Sequence, residues 1–483
     1  MLKHTKIVAT VSDQRCEVEF IEALYKAGMN VVRLNSAHMN EEGFNNVVGN
    51  VRQVSKHIGI LMDTKGPEVR TTIAKEPIEL KIGDRIKVTG NPDQETTRAC
   101  ICVSYKNFVN DMSVGGELLI DDGDLDLKVI EKHDDYLLCE VLNDATLGSR
   151  KSVNVPGVRI NLPSLTERDR KNIIYCINNN LDFIAHSFVR SKQDVLDIQR
   201  ILDEHNSPIK IIAKIENQEG VDNIDEILEV AYGIMIARGD LGIEVPQEKI
   251  PGIQRVLIRK CVEAKKPVIV ATQMLHSMIT NPRPTRAEVT DIANAIYYRT
   301  DALMLSGETA YGKYPVEAVS TMSKIAAEAE KTKLAANDIR VPMVGDDLDV
   351  TSFLAKQAVK ASNKLHAKAI ITDSYTGRTA RYLAAFRGKS TVYAICYKER
   401  VTRELALSYG VWAVYQEEKK SPREYYITSL NHLIDSGRIT KNDMVAYLSG
   451  SFGEGGGTTF LELNNVGKVL DAGKHYTLPT FND

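Results

Sequence analysis

Lys214 and Glu216 stand two residues apart in the apolar run 209–216, a spacing that puts an ammonium and a carboxylate on one face of a β-strand. The next apolar run ends in Ala237-Arg238-Gly239-Asp240, where glycine admits close backbone approach and Asp240 supplies a second carboxylate. Two carboxylates can hold Mg²⁺ or Mn²⁺ and leave coordination positions open to phosphate or carboxylate oxygens. A lysine beside such an ion stabilises charge on a phosphoryl group in transit. The simpler alternative for Lys214 and Glu216 is a buried ion pair with no ligand. Arg33 with Asn35, Asp63 with Lys65, Ser187, Thr272 and Glu308 close apolar runs in the same way. An interior can hold a few paired ions, but the whole set is costly to desolvate without a ligand.

Positioning such residues requires a parallel sheet. The runs 6–11, 30–35, 58–65, 183–187, 209–216, 233–240, 267–273 and 302–308 are rich in Val, Ile, Leu and Ala with little alternation, as in strands buried on both faces. Amphipathic stretches such as 17–26, 192–203 and 254–265 separate them. Strand alternating with helix, eight times over, predicts an α/β fold of the TIM (β/α)8 barrel type, whose strand carboxyl ends carry the site. The interval 72–159 breaks the rhythm: short strands at 81–88, 117–120, 125–130 and 136–141 with turns at Gly90-Asn91, Asp122-Gly123 and Gly148-Ser149 predict an inserted small β-barrel lid domain. After a helical stretch at 315–334 and a polar linker at 337–349, strands at 367–371, 391–395, 411–414, 443–447 and 459–463 predict a C-terminal α/β domain. The boundaries read 1–71 and 160–340 for the barrel, 72–159 for the insert and 350–483 for the last domain.

Composition limits the function classes. Lys and Arg number 61 against 64 Asp and Glu, a net charge of −3 that implies neither a nucleic-acid nor a membrane partner. The seven cysteines are scattered, with Cys100 and Cys102 a C-x-C pair that lacks a matching second pair for zinc. Reduced thiols, a start (Met1-Leu2-Lys3-His4) without a signal-like apolar stretch, and no membrane-length run predict a cytoplasmic protein.

Lys214-Ile215-Glu216-Asn217, Ala237-Arg238-Gly239-Asp240-Leu241-Gly242, Ala271-Thr272-Gln273-Met274-Leu275, Pro284-Thr285-Arg286-Ala287-Glu288-Val289 and Met304-Leu305-Ser306-Gly307-Glu308-Thr309-Ala310 follow one another in order. Upstream stand Thr5-Lys6-Ile7-Val8-Ala9-Thr10, Arg33-Leu34-Asn35, Asp63-Thr64-Lys65-Gly66-Pro67-Glu68-Val69-Arg70 and Leu147-Gly148-Ser149-Arg150-Lys151. Together they resemble the pyruvate kinase signature set over nearly the whole chain. The resemblance implies transfer of phosphate from phosphoenolpyruvate to ADP, then protonation of the enolate to pyruvate. It implies that Arg33 holds the phosphate, that Lys214 stabilises the transferring phosphoryl and the enolate, and that Glu216 and Asp240 bind Mg²⁺ or Mn²⁺. The Gly239 backbone and Thr272 hydroxyl would hold the substrate carboxylate, with Thr272 also in the proton relay. Asn35, His38, Arg70 and Lys151 match nucleotide-side positions, Lys151 and Asp122 contributing when the lid closes. His38 also reads as a capping or packed loop histidine.

Asn35, Asp63 and the Thr64 carbonyl match K⁺ ligands, and Glu68 and Thr71 are typical of K⁺-dependent members, while the family's serine ligand falls on Ala37. The usual Gly-Pro after the first strand is Val11-Ser12-Asp13, the Asp-Gly before Asp301 is Tyr298-Arg299, read as a subunit-contact change, and Gly-Gly before Leu147 is Ala145-Thr146. Ser374-Tyr375-Thr376-Gly377-Arg378-Thr379 resembles the family's cradle for a sugar-phosphate effector, through Ser374, Thr376, Gly377, Arg378 and Thr379; a plain helix-capping turn is the alternative. Residues 450–457 would form the opposing loop, and the family's usual homotetramer is expected. Two other functions remain open to the residues alone: a metal-dependent barrel lyase acting on a pyruvate-like enolate, and a metabolite sensor that kept the fold without the chemistry.

Overall fold

The computed structural model describes residues 3–37, 39–158, 160–332, 349–450 and 457–472. His38, most of the linker 337–349, most of the loop 450–457 and the tail beyond 472 lie outside the described residues. Eight parallel strands close into a barrel: Lys6–Thr10, Val31–Asn35, Gly59–Asp63, Phe183–His186, Lys210–Ile215, Gly233–Ala237, Val268–Ala271 and Ala302–Leu305. Their register runs continuously around the ring, with Asn35 beside Asp63 and Lys214 beside Met235. Each of the eight predicted runs holds one strand.

The alternation of side chains explains why the charges gather at one end. Every second residue of a barrel strand faces the interior. Val8, Val31, Leu61, Phe183, Ile212, Met235, Ile269 and Ala302 form a buried interior cluster. Two residues further along, Val31 gives way to Arg33, Leu61 to Asp63 and Ile212 to Lys214. The same face therefore changes from apolar filling to charge within one step toward the carboxyl ends. The outward positions pack against the helices in a larger core.

Between the third and fourth barrel strands lie two sheets. One is a pair, Ala145–Leu147 with Ile78–Leu80; the other has six strands in the order Val153–Asn154, Glu117–Ile120, Leu125–Lys132, Leu137–Val141, Arg85–Thr89 and Cys100–Cys102. They enclose their own apolar core. The strand expected at 81–88 begins only at Arg85 and runs to Thr89, because Gly83 takes a left-handed φ of 83° and the Lys81 and Asp84 backbones close a turn there. Cys100–Cys102, Ala145–Leu147 and Val153–Asn154 are too short to show a sequence period.

The C-terminal sheet runs Val411–Tyr415, Thr391–Cys396, Ala369–Ser374, Met444–Ser449, Phe460–Asn465, with only the last strand antiparallel. Residues 464 and 465, beyond the run expected at 459–463, finish that strand, and a helix Val466–Ala472 follows. Among the described residues no helix is long and apolar enough to cross a membrane.

This sheet region is fastened to the amino-terminal end of the barrel. Leu407, from the turn Leu405–Leu407, belongs to the barrel's interior cluster and plugs it from below. Asp182, fully buried just before the fourth barrel strand, accepts the Ile60 N–H (2.9 Å), Arg52 (2.9 Å) and Arg403 (2.7 Å). Arg387 bridges in the same way to Asp301, at 3.1 Å. Removing the Asp182 carboxylate leaves two guanidinium groups without their acid. Asp182→Ala should lower stability by about 3 kcal/mol, the scale of a buried pair broken from one side, read as a lower denaturant midpoint; an unchanged midpoint would show that the junction does not depend on it.

Candidate active site

Lys214 is the hub of the barrel mouth. Its ammonium donates to Ser187 Oγ at 2.8 Å and lies 2.9 Å from Glu216 Oε1 and 3.5 Å from Asp63 Oδ2. Burial opposes its charge, but Glu216, Asp63 and Asp240 outweigh that and hold the group above its ordinary pKa, so it remains an ammonium. Arg33 shares the same Asp63 oxygen, with Nε at 2.9 Å, and donates through Nη1 to Thr10 Oγ1 at 3.1 Å. Burial pushes Asp63 up; Arg33 and Lys214 pull harder, so it is held below its ordinary value. One carboxylate oxygen thus fixes both cations.

Glu216 is almost wholly buried, its Oε2 accepting the Phe188 N–H at 2.6 Å. Phe188 reaches that position with a left-handed φ of 56°. Burial pushes the Glu216 carboxyl up to about 7, against the pull of Lys214, and Asp240 adds to the rise. A site that raises a carboxyl by burial and by a second carboxylate is short of positive charge. The two oxygen donors, with no thiolate or imidazole beside them, suit a hard divalent cation. Among the described residues no group of three or more His, Cys, Asp or Glu side chains is placed to hold a metal. A metal here would rest on Glu216 and Asp240 and keep its remaining positions open.

The next two strands supply a separate, strained corner. Gly239 and Asp240 lie in the first turn of the helix Arg238–Glu244. Thr272 Oγ1 accepts the Gly239 N–H at 2.8 Å and donates to the Ala271 carbonyl at 2.6 Å. Thr272 and Gln273 have φ of 67° and 54°, which is costly for a β-branched threonine. Arg238 pins this bend: it donates to the Thr272 carbonyl at 2.7 Å and is anchored by Asp291 at 2.7 Å. Sequence reasoning passed over Arg238 as a positioning residue although it sits inside the Ala237–Asp240 motif.

Two hollows flank these groups. One, of about 670 Å³, is lined by Thr10, Ser12, Asp13, Arg33, Asn35 and Tyr311; Val11-Ser12-Asp13 therefore borders the space that Arg33 faces. The other, of about 380 Å³, lies between the six-stranded sheet and the barrel and is lined by Glu68, Asp122, Ser152, Phe188, Asn217 and Asp240. Asn154 of the insert donates to Glu244 of the barrel at 3.0 Å across it.

The remaining candidates divide. Arg70 donates to Glu68 at 2.7 Å and to the Arg150 carbonyl at 2.9 Å, and Lys151 pairs with Asp121 at 2.6 Å. Lys151 is bound within the insert and Arg70 bridges Glu68 to the insert's Arg150, so neither cation joins the Lys214 cluster. Asn35 Oδ1 accepts the Ala37 N–H at 3.1 Å, while the Thr64 carbonyl accepts Ser187 Oγ at 2.7 Å. Among the described residues Asp63 Oδ1 is buried without a hydrogen-bond partner, an orphan that fits a nearby cation. Glu308 is structural: its two oxygens accept the Leu275 and Ser306 N–H groups. Lys65 is turned outward toward Glu68, and its N–H is held by Asp169.

The loop 374–379 forms a tight turn into the helix Arg378–Ala385. Ser374 Oγ accepts the Gly377 N–H at 2.8 Å, Gly377 has φ 75°, and Thr379 Oγ1 bonds Thr458 Oγ1 at 2.7 Å. Thr376 is exposed, and Arg378 leaves the loop toward Tyr382 and Asp349. Tyr298-Arg299 lies at the barrel's amino end, where the Arg299 carbonyl accepts Arg387 of the same chain.

Comparison with known proteins bears directly on this site. The family model described as pyruvate kinase, barrel domain, matches residues 2–319, and the one described as pyruvate kinase, alpha/beta domain, matches residues 353–463. A pyruvate kinase of Borreliella burgdorferi is 46% identical over 473 residues, covering 96% of this chain and 98% of that one. One from Bacillus licheniformis is 43% identical over 491 residues, covering 98% and 82%. The crystal structure of a pyruvate kinase from Cryptosporidium parvum superposes with a TM-score of 0.91 at 37% identity, covering 96% of each chain. With matches of this extent on a closed barrel that carries its charges at the strand ends, the chain belongs to the pyruvate kinase family.

Proposed function

We propose that Arg33, Lys214 and Thr272 carry the family reaction in this chain, the transfer of the phosphoryl group of phosphoenolpyruvate to ADP with release of pyruvate and ATP. The observation that supports this reading is the Lys214 ammonium, held charged between Ser187, Glu216 and Asp63 at the strand carboxyl ends. Arg33, oriented by Asp63 and Thr10, binds the substrate phosphate. Lys214 stabilises the charge that shifts as the P–O bond to the enol oxygen breaks and a bond to the ADP β-phosphate oxygen forms. The electron pair left on the enol oxygen gives the enolate, whose methylene carbon then takes a proton. The Gly239 N–H and the Thr272 hydroxyl hold the substrate carboxylate, and Thr272 relays the proton, a role that its strained, pinned backbone serves by fixing the hydroxyl. Glu216 and Asp240 hold Mg²⁺ or Mn²⁺, which when bound neutralises phosphate and carboxylate charge.

Asn35, Arg70 and Lys151 take the nucleotide side, with His38 assigned there from sequence alone. Residues 72–159 serve as a lid over the cleft that Asp122 and Asp240 share. Asn35, Asp63 and the Thr64 carbonyl hold K⁺, a reading that the orphan Asp63 Oδ1 supports. The turn at Ser374, Thr376, Gly377, Arg378 and Thr379 serves a sugar-phosphate effector in a cytoplasmic homotetramer.

Pyruvate release from phosphoenolpyruvate should require ADP and Mg²⁺. Lys214→Met should lower kcat by about 10²–10³-fold with a folded protein. Release indifferent to ADP would mean hydrolysis of the phosphate ester, with water taking the phosphoryl group, and would overturn kinase chemistry. K⁺ should raise the rate, and Ala37→Ser, which restores a hydroxyl beside Asn35, should lower the K⁺ concentration for half-maximal rate several-fold. An identical K⁺ response in both proteins would place the monovalent ion elsewhere.

A further inference from the structure

At the amino-terminal end of the barrel, away from the Lys214 cluster, a cleft of about 420 Å³ separates the barrel from the helix Arg378–Ala385. Five cations line it and no acidic side chain does: Lys210 opens the fifth barrel strand, Lys265 and Lys266 precede the seventh, and Arg378 and Arg381 belong to the helix. The nearest carboxylates are few. Asp349 lies 3.4 Å from Arg378, and Glu404 lies 3.9 Å from Lys210 while also holding Arg400 at 3.1 Å. Glu229, paired with Lys192, also acts on Lys266, and Asp301, paired with Arg387, lines the adjoining hollow with Lys265, Lys266 and Arg381. Four acids, three of them shared with cations outside the cleft, therefore stand around five positive charges.

The individual lysines show the same excess. Lys265 is only 5% exposed and adopts a left-handed φ of 58°. Its N–H donates to the Val262 carbonyl at 3.1 Å, but among the described residues its ammonium donates no hydrogen bond and rests 5.1 Å from the Tyr382 ring centre. Lys266 is drawn to backbone carbonyls, Ala231 O at 2.6 Å among them, and Arg381 lies over the Tyr232 ring and donates to the Thr376 carbonyl. Burial and then Arg381 pull Lys266 down to about 8, and burial also lowers Lys210 and Lys265. Holding like charges together in a partly desolvated cleft costs stability unless an anion joins them.

We propose that this cleft is a binding site for the phosphate group of a small phosphorylated metabolite. A phosphate carries two charges on several oxygens, so it can accept from lysines of the barrel and arginines of the helix at once. The cleft is larger than a bare phosphate needs and its walls include the Tyr232 and Tyr382 rings, which leaves room for the rest of the metabolite. The cleft shares Arg378 with the turn at 374–379 but none of that turn's hydroxyls, and Ser374 and Thr379 are engaged internally. Bound there, the anion ties the helix that follows that turn to Lys210, four residues before Lys214 on one strand.

Isothermal titration of the full chain in EDTA tests this, with inorganic pyrophosphate and, separately, glycerol 3-phosphate as probes. The native chain should bind at least one of them. Lys265→Gln should weaken that binding at least tenfold, Lys265→Arg should retain it, and Lys210→Gln should weaken it from the barrel side, all with thermal midpoints near that of the native chain. Tighter binding of glycerol 3-phosphate identifies an ester and tighter binding of pyrophosphate a bare anion; both support the site. Native-like affinity in both Lys265→Gln and Lys210→Gln, or no binding of either probe by the native chain, overturns it.

Discussion

Everything at the barrel mouth depends on one oxygen. Asp63 Oδ2 accepts from Arg33 and faces Lys214, and so sets the spacing of the two cations at the strand ends. Burying two cations with Asp63 and Glu216 is unfavourable unless each finds a partner, since desolvation acts against every one of them. The arrangement resolves most of this conflict internally: Arg33 takes Asp63 and Thr10, Lys214 takes Ser187 and Glu216, and Glu216 takes the Phe188 N–H. What stays unresolved is informative. Among the described residues Asp63 Oδ1 has no partner, and the Glu216 carboxyl is pushed up to about 7, so the carboxylates of the cluster are still short of compensating positive charge, as expected where a cation completes a site.

That tension can be held because the surroundings are rigid. The inward faces of the barrel strands are apolar below Arg33, Asp63 and Lys214, and Leu407 closes the interior from the C-terminal region. The bends at Phe188, Thr272 and Gln273 are left-handed without glycine, and each is fastened by a named bond: the Phe188 N–H to Glu216, and the Thr272 and Gln273 carbonyls to Arg238. Strain of this kind persists only where neighbours over-determine it. The Asp182 and Arg387 contacts and the basic cleft then place the C-terminal sheet against the strand ends opposite the site, so that a ligand there would act on the strand that carries Lys214.

Much of this was legible in the sequence because it follows from periodicity. Eight apolar runs ending in polar residues sufficed for the barrel, and the two-residue spacing of Lys214 and Glu216 correctly placed them on one face. Glu308 read as a candidate by the same rule and is instead a cap for two backbone N–H groups, since a carboxylate at a strand end serves chain geometry as readily as chemistry. The insert was the least legible region: a turn at a left-handed glycine, Gly83, takes up the first half of an apparent strand, and strands of two or three residues carry no period. Arg238 was hidden for another reason. Its partners, Asp291 and the Thr272 carbonyl, are brought to it only by the closed barrel.

The account holds that Lys214 and a divalent cation are separate positive charges drawn to the same carboxylates. Electron paramagnetic resonance titration of Mn²⁺ onto the native chain and onto Lys214→Met tests that claim without relying on turnover. Removing the ammonium should leave Glu216 and Asp240 less compensated, so Mn²⁺ should bind several-fold more tightly to the variant. Weaker Mn²⁺ binding in a folded Lys214→Met protein would contradict the account, because it would mean that the lysine helps to build the metal site rather than sharing its carboxylates.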